Sequence, residues 1–434
     1  MNERCVSFTA SELASMDFSG IPSELKSGEH LIYSSPATLS FNSPGAQGFG
    51  VKRAGLAIPG SVMLLVAPGC CGRNTSVLSD EKRYGSRFFY LLQDDTDIVT
   101  GRHLMRIPRA VKEVVDSLDE KPSCVMICTT CVDALLGTDV ERVCRKSTDK
   151  AGVPVIPCYM YALTRDGSKP PMVEVRKSIY SLLEERPRKS NVVNLLGEFS
   201  PYDDETELYD ILHKLGIKKI NEISRCKTFE EYKKMAEANF NIVINPECRY
   251  AADDIYKRLG IPAVSLTRQY RIDKIHSQYQ LFGGAIGCKI DDSEYYGRAE
   301  RSVKQFSEKF GGEKPLKIAI GEWMNGDPFE MAAAFAGYGM KITEIFGTVT
   351  DTNLAYIRKL ASMDPDVRIY TNLHPTMINY DMSRIECDIT IGKDAGYYHP
   401  DCPNIPWNSE DRPFGYAGLE KLLKEIEKNA GGAE

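Results

Sequence analysis

Ser61-Val-Met-Leu-Leu-Val-Ala-Pro-Gly-Cys-Cys71 and its later counterpart Ser123-Cys-Val-Met-Ile-Cys-Thr-Thr-Cys131 decide how this chain is read. Each is a short apolar run that ends in a pair of cysteines. Val62–Val66 has β-branched ends and stops at Pro68-Gly69, so it predicts a fully buried strand rather than a helix. Cys124–Ile127 predicts a second. Downstream of Cys131, apolar residues in Val132–Val143 recur at helical spacing. If the two strands are parallel members of one sheet, their carboxyl ends share the edge where open α/β sheets place ligands, and the four thiols Cys70, Cys71, Cys128 and Cys131 converge there. Thr129 and Thr130 are placed to cap the helix, whose N-terminal dipole favours thiolates or an anionic cluster. The arrangement points to a soft-metal site of the iron–sulfur kind.

The bland readings stand beside this one. Adjacent cysteines close a strained ring, so Cys70 and Cys71 do not pair with each other and at least one is available. A lone CxxC is also the signature of a thioredoxin-like redox pair. Zinc fingers need closer ligand spacing than the interval of about sixty residues here, an interval that iron–sulfur sites tolerate.

The 434 residues suffice for two to four domains with large cores, and a formal net charge of −6 without a long basic run gives no reason to expect nucleic acid. The first twenty residues lack a continuous apolar segment, and no stretch approaches a membrane span, so the expected location is the cytoplasm. Thirteen scattered cysteines suit a reducing compartment. Cys5, Cys124, Cys144, Cys158, Cys226, Cys288 and Cys387 are expected to be buried apolar fillers.

Strands alternating with helices predict an α/β chain of three Rossmann-like modules with parallel sheets. Residues 1–188 form a cluster-binding module with an irregular N-terminal arm that includes the small-residue loop Phe41–Gly50. The charged, proline-containing stretch Glu184–Ser190 reads as a linker. A second module covers 189–313 and a third 314–434. Phe88–Leu92 falls in a segment read as cluster loop and partly helical sequence, followed by a helix around Ile107–Leu118. Gly197, Gly321 and Gly392 each follow a strand without expanding into GxGxxG, and no GxxxxGK[ST] occurs. Phosphate-bond chemistry, if used, must therefore come from a partner. Cys248, just past a strand in Asn245-Pro-Glu-Cys-Arg249, and His399 and Cys402, in Tyr397-Tyr-His-Pro-Asp-Cys402, are the candidate catalytic or cavity residues.

Pro68-Gly-Cys-Cys71, Asp97-Ile-Val-Thr-Gly101, Thr130-Cys131 with Leu136-Gly-Thr-Asp139, Asn191–Glu198 and Asp411-Arg-Pro-Phe-Gly-Tyr-Ala-Gly418 occur in the order of successive landmarks of nitrogenase component 1. Nearly the whole chain resembles that family and its relatives, which include the catalytic subunits of dark-operative protochlorophyllide reductase and of nickel-sirohydrochlorin cyclase. The resemblance implies three Rossmann-like domains and a homodimer or a pairing with a paralogous second subunit. It implies an iron–sulfur cluster at the subunit interface, served by an ATP-hydrolysing iron–sulfur reductase that delivers single electrons. Cys131 falls on the family's third cluster cysteine, and Cys70 or Cys71 on its second.

The departures shape the expected function. Asn42-Ser-Pro-Gly45 carries no counterpart of the first cluster cysteine, which favours a four-iron cluster shared by two chains over an eight-iron one. Neither the cofactor-holding cysteine near Asn245 nor the histidine expected within Asn404–Asp411 is present, so dinitrogen reduction is not expected. The expectation is the catalytic component of a nitrogenase-like two-component reductase, acting on a tetrapyrrole or small molecule in an interdomain cleft. A scaffold that assembles a metallocofactor without turnover is the alternative, with a second metallocofactor left open. A colourless α/β binding protein is the third reading.

Overall fold

The computed structural model describes residues 5–26, 35–41, 54–69, 85–159, 171–372, 374–383 and 386–430. Cys70, Cys71 and the stretch Asn42–Gly45 lie outside these residues. The chain divides into two compact units, one of Asn42–Pro201 and Ile217–Ser265, the other of Met1–Phe41, Tyr202–Gly216 and Leu266–Glu434.

Strand β1 (Ser7–Thr9) belongs to the second of these units. The first unit opens with β2 (Val62–Ala67), β3 (Phe88–Leu92), β4 (Val125–Thr129) and β5 (Val155–Tyr159), a sheet of order β3-β2-β4-β5 in which every pair is parallel. Val62 stands beside Val125 and Leu65 beside Cys128, so β2 and β4 are neighbours whose carboxyl ends share one edge, as their sequences predict. Both faces are covered. Val62, Leu64 and Val66 pack with Ile107, Val111 and Val143 on one side, while Met63, Leu65, Met126 and Cys128 pack with Val175 and Ile179 on the other. Burial on both faces explains why β2 and β4 read as unbroken apolar runs without alternation.

The same unit carries β6 (Lys189–Leu196), β7 (Lys219–Asn221), β8 (Ala238–Val243) and β9 (Ala263–Ser265), again all parallel, in the order β7-β6-β8-β9. Leu196 and Val243 join the apolar core that holds Met63 and Cys128. The segment after Leu183 is tied to this sheet. Arg258 donates to the Leu183 and Tyr180 carbonyls, and Arg186 pairs with Glu230 and Glu237.

In the other unit, β10 (Lys317–Gly321), β11 (Lys341–Phe346), β12 (Arg368–Tyr370), β13 (Ile389–Ile391) and β14 (Asn404–Ile405) form a parallel sheet that β1 extends antiparallel along β12. The order is β1-β12-β11-β10-β13-β14. The helix Pro328–Gly337 is buried nearly all round. Its start is set by Asp327, which accepts the N–H groups of Phe329 and Glu330, and by Pro328 in the first turn.

Gly415–Ala430, the last helix, packs on Ser293–Phe310. Its capping group comes from far away in sequence. Buried Glu207 accepts the N–H of Tyr416 at 2.6 Å, that of Ala417 at 3.1 Å and the hydroxyl of Tyr279 at 2.8 Å. Gly415 adopts φ +65°, and a Cβ there would lie 1.9 Å from Glu207 Oε1, so only glycine fits. This gives the Asp411–Gly418 landmark a physical meaning.

The structure corrects several expectations. Phe88–Leu92 is a strand, not loop and helix. The helical spacing over Val132–Val143 covers two helices, Cys131–Leu136 and Val140–Ala151, separated where Gly137 turns left-handed at φ +67° and Asp139 restarts the chain by accepting the N–H of Arg142. Thr130 stands at the N-cap position without a side-chain capping bond. Helices Ile272–Ile286 and Ser293–Phe310 lie in a stretch to which the sequence reading assigned no element.

Candidate metal centre at the carboxyl edge of the first sheet

At the edge beyond β2 and β4, Pro68-Gly69 follow β2 and the helix that Cys131 opens follows β4. Cys128, still inside β4, is fully buried in the apolar core. Its thiol lies beside that of Cys158, its direct partner across β4 and β5, and burial first and Cys158 second push it well above the ordinary thiol range. Cys131 is partly exposed at the first turn of its helix. Of the two cysteines of this CxxC, only Cys131 has both access to the edge and the favourable end of a helix dipole.

Polar groups lie on the elements that follow β3 and β4 at this edge. The helix Asp95–Val99 begins with Asp94 accepting the N–H of Asp97 at 2.7 Å. Buried Asp97 pairs with Arg102 and Arg106, and its carbonyl lies 3.1 Å from His103 Nδ1. His103 Nε2 stands 3.9 Å from Asp133, whose carboxyl is raised by burial even though His103 opposes the shift. Among the described residues, the buried amide of Gln93, His103 Nε2 and Thr130 Oγ1 have no hydrogen-bond partner. An edge whose elements carry unspent donors and acceptors as well as a partly exposed thiol suits an anionic metal–sulfur group, which takes thiolate ligands and hydrogen bonds to its sulfurs.

Apolar side chains around this edge are left open to solvent. Leu92 ends β3, Val99 is 86% exposed, Leu104 and Met105 begin the next helix, and Leu135 (71% exposed) and Leu136 end the helix of Cys131. Exposed apolar side chains on neighbouring elements are a common feature of surfaces used for association.

The remaining expected site residues lie elsewhere. Cys248, N-terminal to the helix Arg249–Leu259, is fully buried among apolar residues, and its thiol is pushed up to about 12 by burial. His399 and Cys402 are in the other unit, where their ligand atoms and the thiol of Cys387 all lie within 4.8 Å of one another. Cys124, Cys144 and Cys158 are buried as expected, whereas Cys288 is exposed and Cys387 is drawn into this group. The sequence reading took Cys387 for a buried filler, whereas it is partly exposed. The spacing His399-Pro-Asp-Cys402, two ligand-type residues three apart, was the signal that could have flagged it.

Beyond β10 and β13, the amide groups that a phosphate would need are already engaged. Asp394 accepts the N–H of Glu322 at 2.9 Å and of Trp323 at 3.1 Å, and Asn372 donates to it at 2.6 Å. Within Asn404–Asp411, Trp407 is 1% exposed at φ +43°, donates to Tyr270 Oη at 2.6 Å and stacks under Arg412. A buried indole in a left-handed backbone takes up the centre of this segment.

Residues 46–430 match the family described as nitrogenase component 1 type oxidoreductase. The chain belongs to that family. Among curated members, it is 24% identical to the nitrogenase iron-molybdenum cofactor biosynthesis protein NifE of Rhodobacter capsulatus over 395 residues, covering 84% of this chain and 80% of that protein. NifE of a Nostoc species is 24% identical over 277 residues, 59% of this chain and 55% of that protein, so the chain spans only about half of that relative's length in the match. A solved structure titled "Nitrogenase Cp1 at pH 6.5" superposes with a TM-score of 0.69 at 16% identity, over 95% of this chain and 96% of that one. The fold is thus the mixed α/β, parallel-sheet fold of nitrogenase component 1. No helix among the described residues is long and apolar enough to cross a membrane.

Proposed function

We propose that this member of the nitrogenase component 1 family is a cluster-carrying scaffold for the assembly of a metallocofactor. The observation that carries this reading is that its curated relatives over most of the chain are named as cofactor biosynthesis proteins, while Trp407 fills the segment where a cofactor-holding histidine was sought. In this reading Cys131, with Cys70 or Cys71, holds a four-iron cluster shared between two chains. Cys128 backs the site from the core beside Cys158. The cluster supplies one-electron chemistry when bound. His103, Thr130 and Gln93 hydrogen-bond and orient it, and Asp97 fixes the His103 ring through its carbonyl. The open Leu92, Val99, Met105 and Leu135 side chains seat the second copy or paralogous subunit, and an ATP-hydrolysing iron–sulfur reductase docks on the same side.

The test is transfer. Anaerobically purified protein, loaded with metal–sulfur precursor and mixed with a cofactor-free nitrogenase catalytic component, should restore that component's activity and leave with less bound metal. A second reading, a reductase that turns over its own substrate, is supported by the family's description as oxidoreductases. It predicts a product that depends on the reductase and ATP with no acceptor protein present, and that result would replace the scaffold reading.

A further inference from the structure

Cys387 lies just before β13, Cys402 just before β14, and His399 closes the helix Lys393–Tyr398 that connects these parallel strands. The helix runs back against the strand direction, so all three residues meet at the amino edge of the sheet, the edge opposite its ligand-binding side. The two thiols approach to 3.0 Å, and Cys402 also points at the Cys387 carbonyl at 3.1 Å. His399 is buried, with Nε2 at 2.8 Å from Glu344 Oε2 and 3.1 Å from Tyr380 Oη, while Tyr380 donates to the same carboxylate at 2.6 Å. Glu344 is fully buried on β11, and its Oε1 has no hydrogen-bond partner among the described residues.

We propose that Cys387, Cys402 and His399 form a zinc site, independent of the cysteines of the first sheet, that ties the amino ends of β13 and β14 together. Two sulfurs and one imidazole nitrogen are the ligand set that a tetrahedral, borderline-soft d¹⁰ cation selects. Glu344 holds His399 through Nε2, as carboxylates hold metal-bound imidazoles, and leaves the other ring nitrogen for the metal. Two zinc–sulfur bonds of about 2.3 Å at a tetrahedral angle separate the sulfurs by about 3.8 Å, so the thiols part by less than an ångström on binding. Both thiols lose a proton to solvent, the two thiolates balance the dication, and water takes the fourth position.

The experiment uses the full chain, purified without oxygen, chelator-treated and titrated with cobalt(II) and then zinc. Unmodified protein should gain the intense visible bands of tetrahedral cobalt and a thiolate charge-transfer band, both lost on adding zinc. Cys387→Ser and Cys402→Ser should each weaken this binding more than tenfold, and Cys226→Ser should leave it unchanged. Unchanged binding in both serine variants overturns the proposal, as does a Cys387–Cys402 disulfide found by peptide mapping of the anaerobic protein. Should the serine variants not fold, zinc-edge X-ray absorption of the unmodified protein decides. Two sulfurs with lighter neighbours support the site, and a shell of four sulfurs or of light atoms alone overturns it.

Discussion

Cys128 and Cys158 stand directly opposite each other on β4 and β5, both fully buried, and three residues after Cys128 the chain emerges so that Cys131 is partly exposed. One CxxC therefore divides its labour: the first thiol packs and the second faces the edge. Cys131→Ala should remove the bound iron while leaving the thermal midpoint of the iron-free protein within a few degrees. Cys128→Ala should retain iron and lose about 1 kcal/mol from the small cavity it leaves. Iron analysis and denaturant melts of the two variants check this, and the opposite pattern would move the ligand to Cys128.

The helix Gly415–Ala430 depends on a carboxylate some two hundred residues earlier in the chain. Glu207→Ala leaves the N–H groups of Tyr416 and Ala417 and the hydroxyl of Tyr279 without their acceptor. It should cost about 3 kcal/mol. Gly415→Ala forces a Cβ onto Glu207 Oε1 at an unfavourable φ and should be comparably destabilising. Chemical denaturation reports both, and a loss below about 1 kcal/mol in both would show that the cap is not needed.

A carboxyl group on the third sheet's carboxyl edge gives the protein a pH response. Burial, then the charge of Asp394, raises Glu322 from 4.5 to about 7, and burial raises Asp394 from 3.8 to about 6. The folded state thus holds protons that the unfolded chain releases. Their contribution is full below about pH 4 and is lost as pH rises to about 7. Glu322 alone accounts for a slope of up to about 3 kcal/mol across that window. Glu322→Gln should flatten the fall in thermal midpoint between pH 5 and about 7.5. An unchanged slope in this variant would place the response elsewhere.

What the sequence disclosed is what local patterning carries. β2 and β4 are buried on both faces, so their apolar runs and glycine–proline or cysteine stops were visible, and with them the edge at which both strands end. Phe88–Leu92 was missed because a 3-10 turn, Gly85–Arg87, precedes it and a polar helix start follows it, with nothing periodic to distinguish an edge strand. The Val132–Val143 pattern kept its period through Gly137, whose φ alone reveals the break. The contacts of Glu207 with Tyr416 and of Cys387 with Cys402 and His399 are tertiary, and no spacing rule ties Glu207 to the last helix. His103 and Asp133 gained meaning only once the fold brought His103 to 3.9 Å from Asp133, on the helix that Cys131 opens.

The most direct test of a cluster held by Cys131 is iron and acid-labile sulfide per chain in protein purified without oxygen, with electron paramagnetic resonance after dithionite reduction. The account predicts about two irons per chain, one four-iron cluster across two chains, and their loss in Cys131→Ala. Absence of iron and sulfide from the unmodified protein, before and after reconstitution, would contradict it and leave the cysteine edge as packing.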